Sequence, residues 1–282
     1  MQFHNPGADV FVPDGVEPRA ALARTTHLCI CAHQDDIEIM AYHGIAQCFG
    51  QPERWFTGVV VTNGAGSPRS GIYGHYTDEQ MQGVRRIEQR KAAYVGEYAC
   101  QIQLAYGSAA VKSAGEAVVE DLERILRAAR PEVVYLHNLA DKHDTHVAVT
   151  LRAIAALRAA RGEVRPKKVY GCEVWRDLDW LSDEEKQALP VSARSNIAAA
   201  LVGVFDSQVT GGKRYDLATA GRRLAHATYY APHGTDEEAA LTFAMDLTPL
   251  VEDPGLPVAD YVLGFVDRFR EDVQKRLKAA GA

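Results

Sequence analysis

Short apolar runs alternate with helical patterns along this sequence, and this alternation constrains the fold more than any other feature. The runs THLCICAH, WFTGVVVT, EVVYLHN and KKVYGCEVW end in polar or glycine-containing segments, as buried parallel strands often do. Between them, residues 77–97, 115–129 and 146–161 show helical patterns, the first with Thr77 as its N-cap. The alternation predicts βαβ units, and therefore a Rossmann-like α/β fold with a mostly parallel sheet flanked by helices.

The rest of the chain is expected to elaborate this fold within a single domain over residues 1–282. We predict an irregular N-terminal arm over residues 1–24 and a C-terminal helical extension over residues 211–282, after a less regular stretch at 177–215. No internal repeat, low-complexity segment or shift in composition marks a domain boundary. The apolar region 239–266 either packs on its own domain or offers a surface for a homo-oligomer.

Charge and cysteine content restrict the partners and the compartment. The formal net charge is −6 and no basic block offsets it, which argues against a nucleic-acid or anionic-membrane partner. The apolar runs are too short to span a bilayer, and the N-terminus lacks the pattern of a signal peptide. Of the five cysteines, only Cys29 and Cys31 are close in sequence, and their spacing suits neither a zinc knuckle nor a redox motif. We predict buried, reduced thiols in a cytoplasmic protein.

Two loops that follow predicted strands are rich in side chains able to bind a metal. The first is Ala-His-Gln-Asp-Asp-Ile-Glu at 32–38, and the second is Asp-Lys-His-Asp-Thr-His at 141–146. Ligands of parallel α/β sheets bind beyond the carboxyl ends of the strands, where such loops meet. Two imidazoles and one carboxylate suit a catalytic zinc that keeps positions open for water and substrate, and each loop has a further carboxylate or imidazole for proton transfer.

Each loop also has a simpler explanation. An Asp-Asp pair after a strand is commonly a solvated helix N-cap, and His-x-x-His in a loop is as often surface as ligand. Because both loops follow separate strands of one predicted sheet, a metal site is the favoured interpretation. The ligand types alone leave open a ferrous oxygenase with two histidines and one carboxylate. Spacing also leaves open which member of each pair binds the metal.

These two loops resemble the two signature motifs of the PIG-L/LmbE family of zinc-dependent N-deacetylases. The family's first motif reads Ala-His-Pro-Asp-Asp, a variable residue and Glu, and its second reads Asp-x-His-Pro-Asp-His. TNGAG, RRIEQRKAA and FDSQ also resemble family elements and follow in the expected order. The resemblance covers roughly residues 25–210, and this ordered combination is far more specific than either motif alone.

The resemblance implies a hydrolase that removes an acetyl group from the amide nitrogen of an N-acetylglucosamine-type sugar, phosphorylated or conjugated sugars included. It implies Zn²⁺ as the cofactor, bound by His33, Asp36 and His146. It makes Asp35 the general base that activates water at the zinc. His143 would stabilise the oxyanion or assist departure of the amine.

The resemblance also implies supporting roles. Asp141 would orient the second motif, and Arg85 would reach the substrate near the acyl carbonyl. The alternative for Arg85 is an ion pair with Glu88 on the surface of a helix, because the two residues are spaced i, i+3.

Two departures from the family pattern affect the loops. Gln34 replaces the usual proline, at a position that shapes the loop but supplies no ligand. Thr145 replaces the usual aspartate beside His146, while Asp144 occupies the second motif's proline position. The missing carboxylate is of the kind that orients a ligand from outside the metal's own ligand set, and we expect Asp144 to take over or the site to be retuned.

Substrate recognition is less constrained by the sequence. No apolar anchor suggests a lipid-linked sugar, so a soluble small molecule is expected. A predicted strand is followed by Trp175, Arg176 and Trp180. Either the two indoles pack on a sugar ring and the arginine binds its phosphate or carboxylate, or the indoles pack in the core and the arginine lies on the surface. The alternative functions are an amidase acting on a thiol conjugate or an acylated antibiotic, and a non-catalytic module that binds sugar or metal. Other histidines, His137 among them, are expected to be structural or on the surface, with His75 and Tyr76 as exceptions if their loop covers the site.

Overall fold

All strands among the described residues, 1–113 and 115–282 of a computed structural model, belong to one eight-stranded sheet. Its spatial order is β1-β4-β3-β2-β5-β6-β8-β7. The strands are β1 (Asp9–Phe11), β2 (His27–Cys31), β3 (Phe56–Thr62), β4 (Cys100–Tyr106), β5 (Val133–His137), β6 (Lys168–Cys172), β7 (Gln187–Pro190) and β8 (Leu241–Asp246).

The five central strands are parallel, and they reproduce the strand order of a Rossmann fold. β4, β3, β2, β5 and β6 pair in parallel, while β1 pairs antiparallel with β4, and β8 pairs antiparallel with both β6 and β7. Among these five strands, the chain begins in the middle at β2, runs outward through β3 to β4, and then crosses back to β5 on the other side of β2. The gap between the ends of β2 and β5 is therefore the topological switch point, where α/β sheets bind ligands. The predicted fold class is confirmed.

Helices pack on both faces of this sheet. They are α1 (Pro18–Ala23), α2 (Asp36–Met40), α3 (Tyr42–Cys48), α4 (Asp78–Val95), α5 (Ser108–Lys112), α6 (Glu116–Ala129), α7 (Asp144–Ala160), α8 (Ser195–Gly203), α9 (Asp206–Val209), α10 (Tyr215–Tyr229), α11 (Thr248–Glu252) and α12 (Val258–Ala279). The predicted N-cap of α4 is confirmed, because Thr77 Oγ1 accepts the backbone N–H of Gln80 in a capping box. None of the helices in the described ranges combines the length and apolarity needed to cross a bilayer.

Alternate residues of the buried strands divide the core into two layers. Leu28 and Ile30 of β2 pack with the layer that contains α6 and α7, whereas Cys29 and Cys31 point to the layer that contains α2, α3 and α8. All five cysteines are buried and unpaired, as predicted for reduced thiols. Because both faces of β2 are buried, its register is fixed, and with it the position at which the first candidate loop leaves the sheet.

The structure corrects three predicted segments. The N-terminal arm contributes β1, which extends the sheet along β4, and the stretch 177–215 contains β7, α8 and α9. The C-terminal part is more than a helical extension, because β8 enters the sheet between β6 and β7. These strands are antiparallel and short, and they depend on distant partners for their hydrogen bonds, so local periodicity gave little signal for them. The apolar region 239–266 packs largely on its own domain through β8, α11 and the buried side chains Val262 and Phe265.

Candidate metal centre and active site

The two candidate loops meet at the switch point of the sheet. The first leaves the end of β2 and turns into α2, so Asp36 is the first residue of that helix. The second follows β5 and leads into α7, with His143 at its N-cap and His146 in its first turn. Adjacent parallel strands deliver both loops to the same edge, as the sequence predicted.

Three side chains from these loops form a compact triangle. His33 Nδ1 lies 3.2 Å from Asp36 Oδ2 and 3.2 Å from His146 Nε2. The third edge, from His146 Nε2 to Asp36 Oδ2, is 3.4 Å. Asp36 and His146 are buried, and His33 is only partly exposed. The structure therefore brings together the three residues that were predicted as ligands.

The donor atoms and their spacing fit a zinc ion. Tetrahedral zinc with nitrogen and oxygen ligands at about 2.0–2.1 Å would place neighbouring ligand atoms about 3.3 Å apart. The three edges of the triangle lie close to that length. Two imidazole nitrogens and one carboxylate oxygen leave coordination positions open, as a catalytic site requires. The same donor set also suits ferrous iron, so the identity of the ion stays a prediction.

Asp141 holds the imidazole of His146 in the orientation that a ligand needs. Its Oδ2 accepts hydrogen bonds from His146 Nδ1 at 3.1 Å and from the backbone N–H of Trp175 at 3.3 Å, while Oδ1 accepts the backbone N–H of His143 at 3.3 Å. Burial acts to raise the pKa of Asp141, but the hydrogen bonds from His146 and the Trp175 backbone, together with the charges of His146 and His137, outweigh it and lower the pKa. An ionised carboxylate only accepts, so the His146 proton lies on Nδ1 and the lone pair of Nε2 is left for a metal.

The triangle is electrostatically prepared for a cation. Burial acts to raise the pKa of Asp36, yet the neighbouring imidazoles of His146 and His137 lower it below its ordinary value. Burial acts to lower the pKa of His146, and the carboxylates of Asp36 and Asp141 raise it. Asp36 therefore stays ionised at the centre of the cluster, where its charge favours binding of a positive ion.

Asp35 lies directly beside this cluster in an unusual backbone conformation. Its φ is +90°, and its side chain is buried with Oδ1 3.5 Å from Nη2 of Arg85. Burial raises the pKa of Asp35 well above its ordinary value, although the guanidinium of Arg85 acts in the opposite direction. A carboxylate with a raised pKa takes up a proton more readily than a solvated aspartate, as a general base must.

His143 presents the other proton-transfer group. Its Nδ1 accepts the backbone N–H of Thr145 at 3.3 Å, which places the proton of the neutral ring on Nε2. The ring stacks on His146, with centroids 4.5 Å apart, and its centroid lies 5.0 Å from that of His33. Burial lowers the pKa of His143, so the neutral form with Nε2–H is favoured. This N–H can donate a hydrogen bond to an oxyanion.

A cavity of about 430 Å³ opens above these groups. Predicted site residues in its wall are His33, Asp35, Asp36, Arg85 and His143. The remaining wall comes mainly from the glycine-containing loop at 64–68, from α5 and from the segment that precedes α10. This second set includes Ser67, Ser108, Lys112, Gln208, Lys213 and Tyr215. The volume suits a small organic molecule with one or two rings.

An aromatic and cationic wall lies on the side of the cavity next to His143. The Trp175 ring centroid is 6.4 Å from that of His143, and Tyr215 packs edge-on against the indole at 6.1 Å. Lys213 Nζ lies 5.1 Å from the Trp175 ring centroid. Of the three residues singled out after the fourth predicted strand, only Trp175 lines the cavity. Trp180 packs against Phe269 of α12, and Arg176 is exposed outside the cavity wall.

Comparison with known protein families agrees with this geometry. Residues 28–157 match the family model PIG-L, described as GlcNAc-PI de-N-acetylase. This match includes both candidate loops and the α4 helix. The predicted resemblance is confirmed, while a search of curated protein sequences found no significant match.

Solved structures with the same fold carry more than one activity. N,N'-diacetylchitobiose deacetylase from Pyrococcus horikoshii aligns with a TM-score of 0.64 and 15% identity, over 84% of this chain and 88% of that one. The zinc-inhibited form of a teicoplanin deacetylase aligns with a TM-score of 0.57 and 18% identity, over 79% and 97%. The 4-carboxy-2-hydroxymuconate hydratase GalB from Pseudomonas putida aligns with a TM-score of 0.61 and 19% identity, over 79% and 95%. At these identities the likeness establishes the fold, and the chemistry has to be argued from the site.

Arg85 is part of the buried site, which rules out the surface ion pair considered for it. Its guanidinium donates to Ser67 Oγ and to the backbone carbonyl of Gln34, and it faces Asp35. Glu88 instead accepts hydrogen bonds from the backbone N–H and the hydroxyl of Ser207, at 2.7 and 2.6 Å. This contact anchors the FDSQ segment on α4 beside the cavity. Direct contact between Arg85 and a substrate stays a prediction.

The replacement of the PIG-L motif's proline by Gln34 is absorbed by local packing. Gln34 Nε2 donates to the carbonyl of Thr62 at 3.3 Å and to Gln103 Oε1 at 3.2 Å. Its amide oxygen fills the space against Gly64, where an added Cβ would lie 2.5 Å away. The side chain joins the loop after β2 to the loop after β3 and contributes nothing to the triangle.

Asp144 does not take over from the carboxylate that Thr145 replaces, which leaves the other alternative, a retuned site. The Asp144 side chain is exposed in the first turn of α7, and among the described residues it forms no hydrogen bond with the ligand imidazoles. Residues in the first turn of a helix diverge around its axis, and this one points to solvent. Thr145 is buried and lines the cavity, so the exchange of Asp for Thr removes one charge from the wall.

His137, which was expected to be structural or on the surface, is fully buried against the cluster. Its Nε2 accepts the backbone N–H of Ala32 at 2.9 Å and lies 3.5 Å from Asp36 Oδ2, and its ring stacks on His146 at 3.8 Å. The position at the last residue of β5 was the available signal, since the ligating loop begins there. His75 and Tyr76, named as exceptions, are absent from the cavity wall.

Proposed function

We propose that this protein is a zinc-dependent N-deacetylase that hydrolyses the acetamide of an N-acetylated amino sugar. The observation that carries the proposal is the triangle of His33, Asp36 and His146, with Asp35 and His143 beside it in the wall of one cavity. The match of residues 28–157 to the PIG-L family model and the deacetylases of the same fold support the same activity.

The chain's own residues supply the proton transfers of amide hydrolysis. A zinc ion held by the triangle would lower the pKa of water at the site and polarise the acyl carbonyl. Asp35 removes a proton from water as the water oxygen attacks the acyl carbon. The developing charge on the former carbonyl oxygen is met by the Nε2–H of His143.

Breakdown of the tetrahedral species then separates acetate from the amine. The C–N bond breaks as the carbonyl re-forms, and the nitrogen gains the proton that Asp35 took from water. The products are acetate and the free amino sugar, so one water is consumed for each acyl group. Asp35 and His143 flank the triangle, which is the arrangement required of a base for the water and the amine and of a hydrogen-bond donor for the oxyanion.

The cavity wall supports a sugar, including a phosphorylated one. The indole of Trp175 presents an apolar face of the size of a pyranose ring. Lys112 and Lys213 add two ammonium groups to the wall, and neither forms a salt bridge with any residue that the structure describes. Arg85, by contrast, faces Asp35. Two unmatched cations on a chain of net charge −6 favour a substrate that carries a phosphate or carboxylate.

The proposal is tested by metal analysis together with release of acetate. The purified protein is analysed for bound metal and assayed on N-acetylglucosamine, its 6-phosphate and N,N'-diacetylchitobiose. An Asp35→Asn variant tests the base, because asparagine keeps the shape and tolerates a positive φ. We expect about one zinc per chain, retained in the variant, with kcat reduced about 10²–10⁴-fold.

Other outcomes select the alternatives. Turnover of thiol conjugates or acylated antibiotics, with none of the sugars hydrolysed, would make the protein an amidase of another class. Bound zinc without turnover of any amide would leave a sugar- or metal-binding module. Absence of any metal from the folded protein would contradict the proposal.

A further inference from the structure

The backbone at Asp35 is held in a conformation that is uncommon for residues other than glycine. Its φ is +90°, whereas the other non-glycine residues with positive φ among the described ranges lie between +46° and +57°, in the ordinary left-handed region. Such a conformation costs about 1–3 kcal/mol and persists only where the surroundings impose it. The residue concerned is the proposed base, so the contacts that impose the conformation bear on catalysis.

Two side chains of α4 form hydrogen bonds with the peptide group between Gln34 and Asp35, one at its carbonyl oxygen and one at its N–H. Arg85 donates from Nη2 to the carbonyl oxygen of Gln34. Gln89 accepts the N–H of Asp35 through Oε1 at 3.3 Å. Arg85 and Gln89 are spaced i, i+4, so one face of the helix presents both groups. Because rotation of this peptide plane changes φ of Asp35, the pair sets the direction of the Asp35 side chain.

Gln89 is itself fixed by a buried chain of hydrogen bonds. Its side chain is fully buried, and Nε2 donates to Glu38 Oε1 at 2.9 Å and approaches Gln101 Oε1 at 3.4 Å. The hydroxyl of Tyr98 donates to the same Glu38 oxygen at 2.8 Å. The amide is thereby oriented with its oxygen toward Asp35, since its nitrogen is used by Glu38. A buried polar network of this kind fixes one arrangement of its members.

We propose that Gln89 is a positioning residue, which holds the Gln34–Asp35 peptide so that the Asp35 carboxylate faces the cavity. Gln89 does not line the cavity and acts only through the backbone of Asp35. The inference rests on the proposed function, because it assigns to Asp35 the role of base. It adds a requirement for a hydrogen-bond acceptor at position 89 that the two signature motifs do not contain.

The first test removes the acceptor without changing the size of the side chain. Gln89→Met deletes the hydrogen bonds to Asp35 and Glu38, while Gln82→Met makes the same chemical change on a partly exposed position of the same helix. We expect kcat of Gln89→Met to fall about 10–100-fold with KM and zinc content unchanged, and Gln82→Met to match the wild type. An unchanged kcat in Gln89→Met would overturn the proposal.

A second test separates positioning from a general loss of stability. Gln89→Glu sets a second carboxyl group against Glu38, whereas the double variant Glu38→Gln/Gln89→Glu exchanges the two groups and restores one donor and one acceptor between them. In Gln89→Glu two carboxyl groups face each other with no fixed donor between them, so the orientation of the acceptor toward the Asp35 N–H is lost. In the double variant the amide of position 38 donates to position 89, which again turns its other oxygen toward that N–H. We expect kcat to recover at least tenfold from Gln89→Glu to the double variant. Recovery of the melting temperature without recovery of kcat would contradict the proposal.

A crystal structure of Gln89→Met tests the positioning role of Gln89 independently of the proposed deacetylase activity. We expect the Gln34–Asp35 peptide to be rotated or the Asp35 side chain to leave the cavity. An unchanged φ of Asp35 together with an unchanged Asp35 side chain refutes the positioning role, whatever the substrate. If wild-type protein hydrolyses no N-acyl compound while the variant shows the rotation, the proposed function fails and the backbone role of Gln89 stands.

Discussion

Replacement of Asp141 by asparagine should weaken metal binding through the ring of His146. Three N–H groups converge on the Asp141 carboxylate, from the His146 ring and from the backbones of His143 and Trp175. A carboxylate accepts all three, but an amide offers one oxygen and one NH₂ group. In Asp141→Asn the NH₂ group must face at least one of these donors, and the charge that holds the His146 proton on Nδ1 is lost.

The expected size of this effect follows from the type of contact. Loss of a partner that orients a metal-binding histidine costs about 10–100-fold in metal affinity, or about 1.4–2.7 kcal/mol. Both Asp141 and His146 are buried, so water cannot readily replace the lost acceptor, and the upper half of this range is expected. The fold itself should survive, because Asp141 lies in a loop and its contacts are confined to the site.

Competition between the apoprotein and a chromogenic chelator measures zinc affinity for this comparison. Asp144→Asn is the matched control, because it makes the same change three residues away on an exposed side chain. We expect wild-type affinity in the control and at least tenfold weaker binding in Asp141→Asn. Wild-type affinity in both variants would refute the argument that Asp141 sets the His146 tautomer. Equal weakening of both would show that net charge alone matters.

Two further predictions concern the loop beside the site and the core. Gly64→Ala should destabilise the protein by about 1–3 kcal/mol and lower activity, because φ is +74° and the added Cβ would lie 2.5 Å from Gln34 Oε1. Gly83→Ala is the control, because this glycine lies in the middle of α4 with no atom within 4 Å of the new methyl group, and the change should be neutral or stabilising. Urea titration measures the free energy of unfolding of both variants, and an equal loss of stability in the two would contradict the packing argument. His43 is buried and bonded to Tyr135, and burial lowers its pKa to about 4, so below pH 6.5 the unfolded chain binds a proton that the folded chain excludes. Through this group, the free energy of unfolding should thus fall by at most about 3 kcal/mol between pH 7 and pH 4.5. In metal-free protein, His43→Gln should reduce that fall. An unchanged pH dependence in the variant would exclude His43 as its cause.

The central fold and the candidate ligands could be predicted because their signals are local. The apolar run of β2 and the pattern of α4 are contained in a few consecutive residues, and His33 and Asp36 follow directly from the end of that strand. The rule that parallel strands release their loops at one edge then brought His146 to the same place. None of these steps needed a contact between distant segments other than the pairing of β2 with β5.

Only the tertiary structure decided the features that depend on long-range contacts. His137 joins the cluster because the register of β5 against β2 puts its ring under Ala32, and Lys213 reaches the cavity because Glu88 anchors the preceding segment through Ser207. Asp144 and Asp141 have the same side chain in one loop, yet one is solvated and the other buried. Sequence periodicity records which residues share a face of their own helix or strand. It does not record which distant atoms that face meets, and hydrogen bonds, burial and pKa shifts are decided by those atoms.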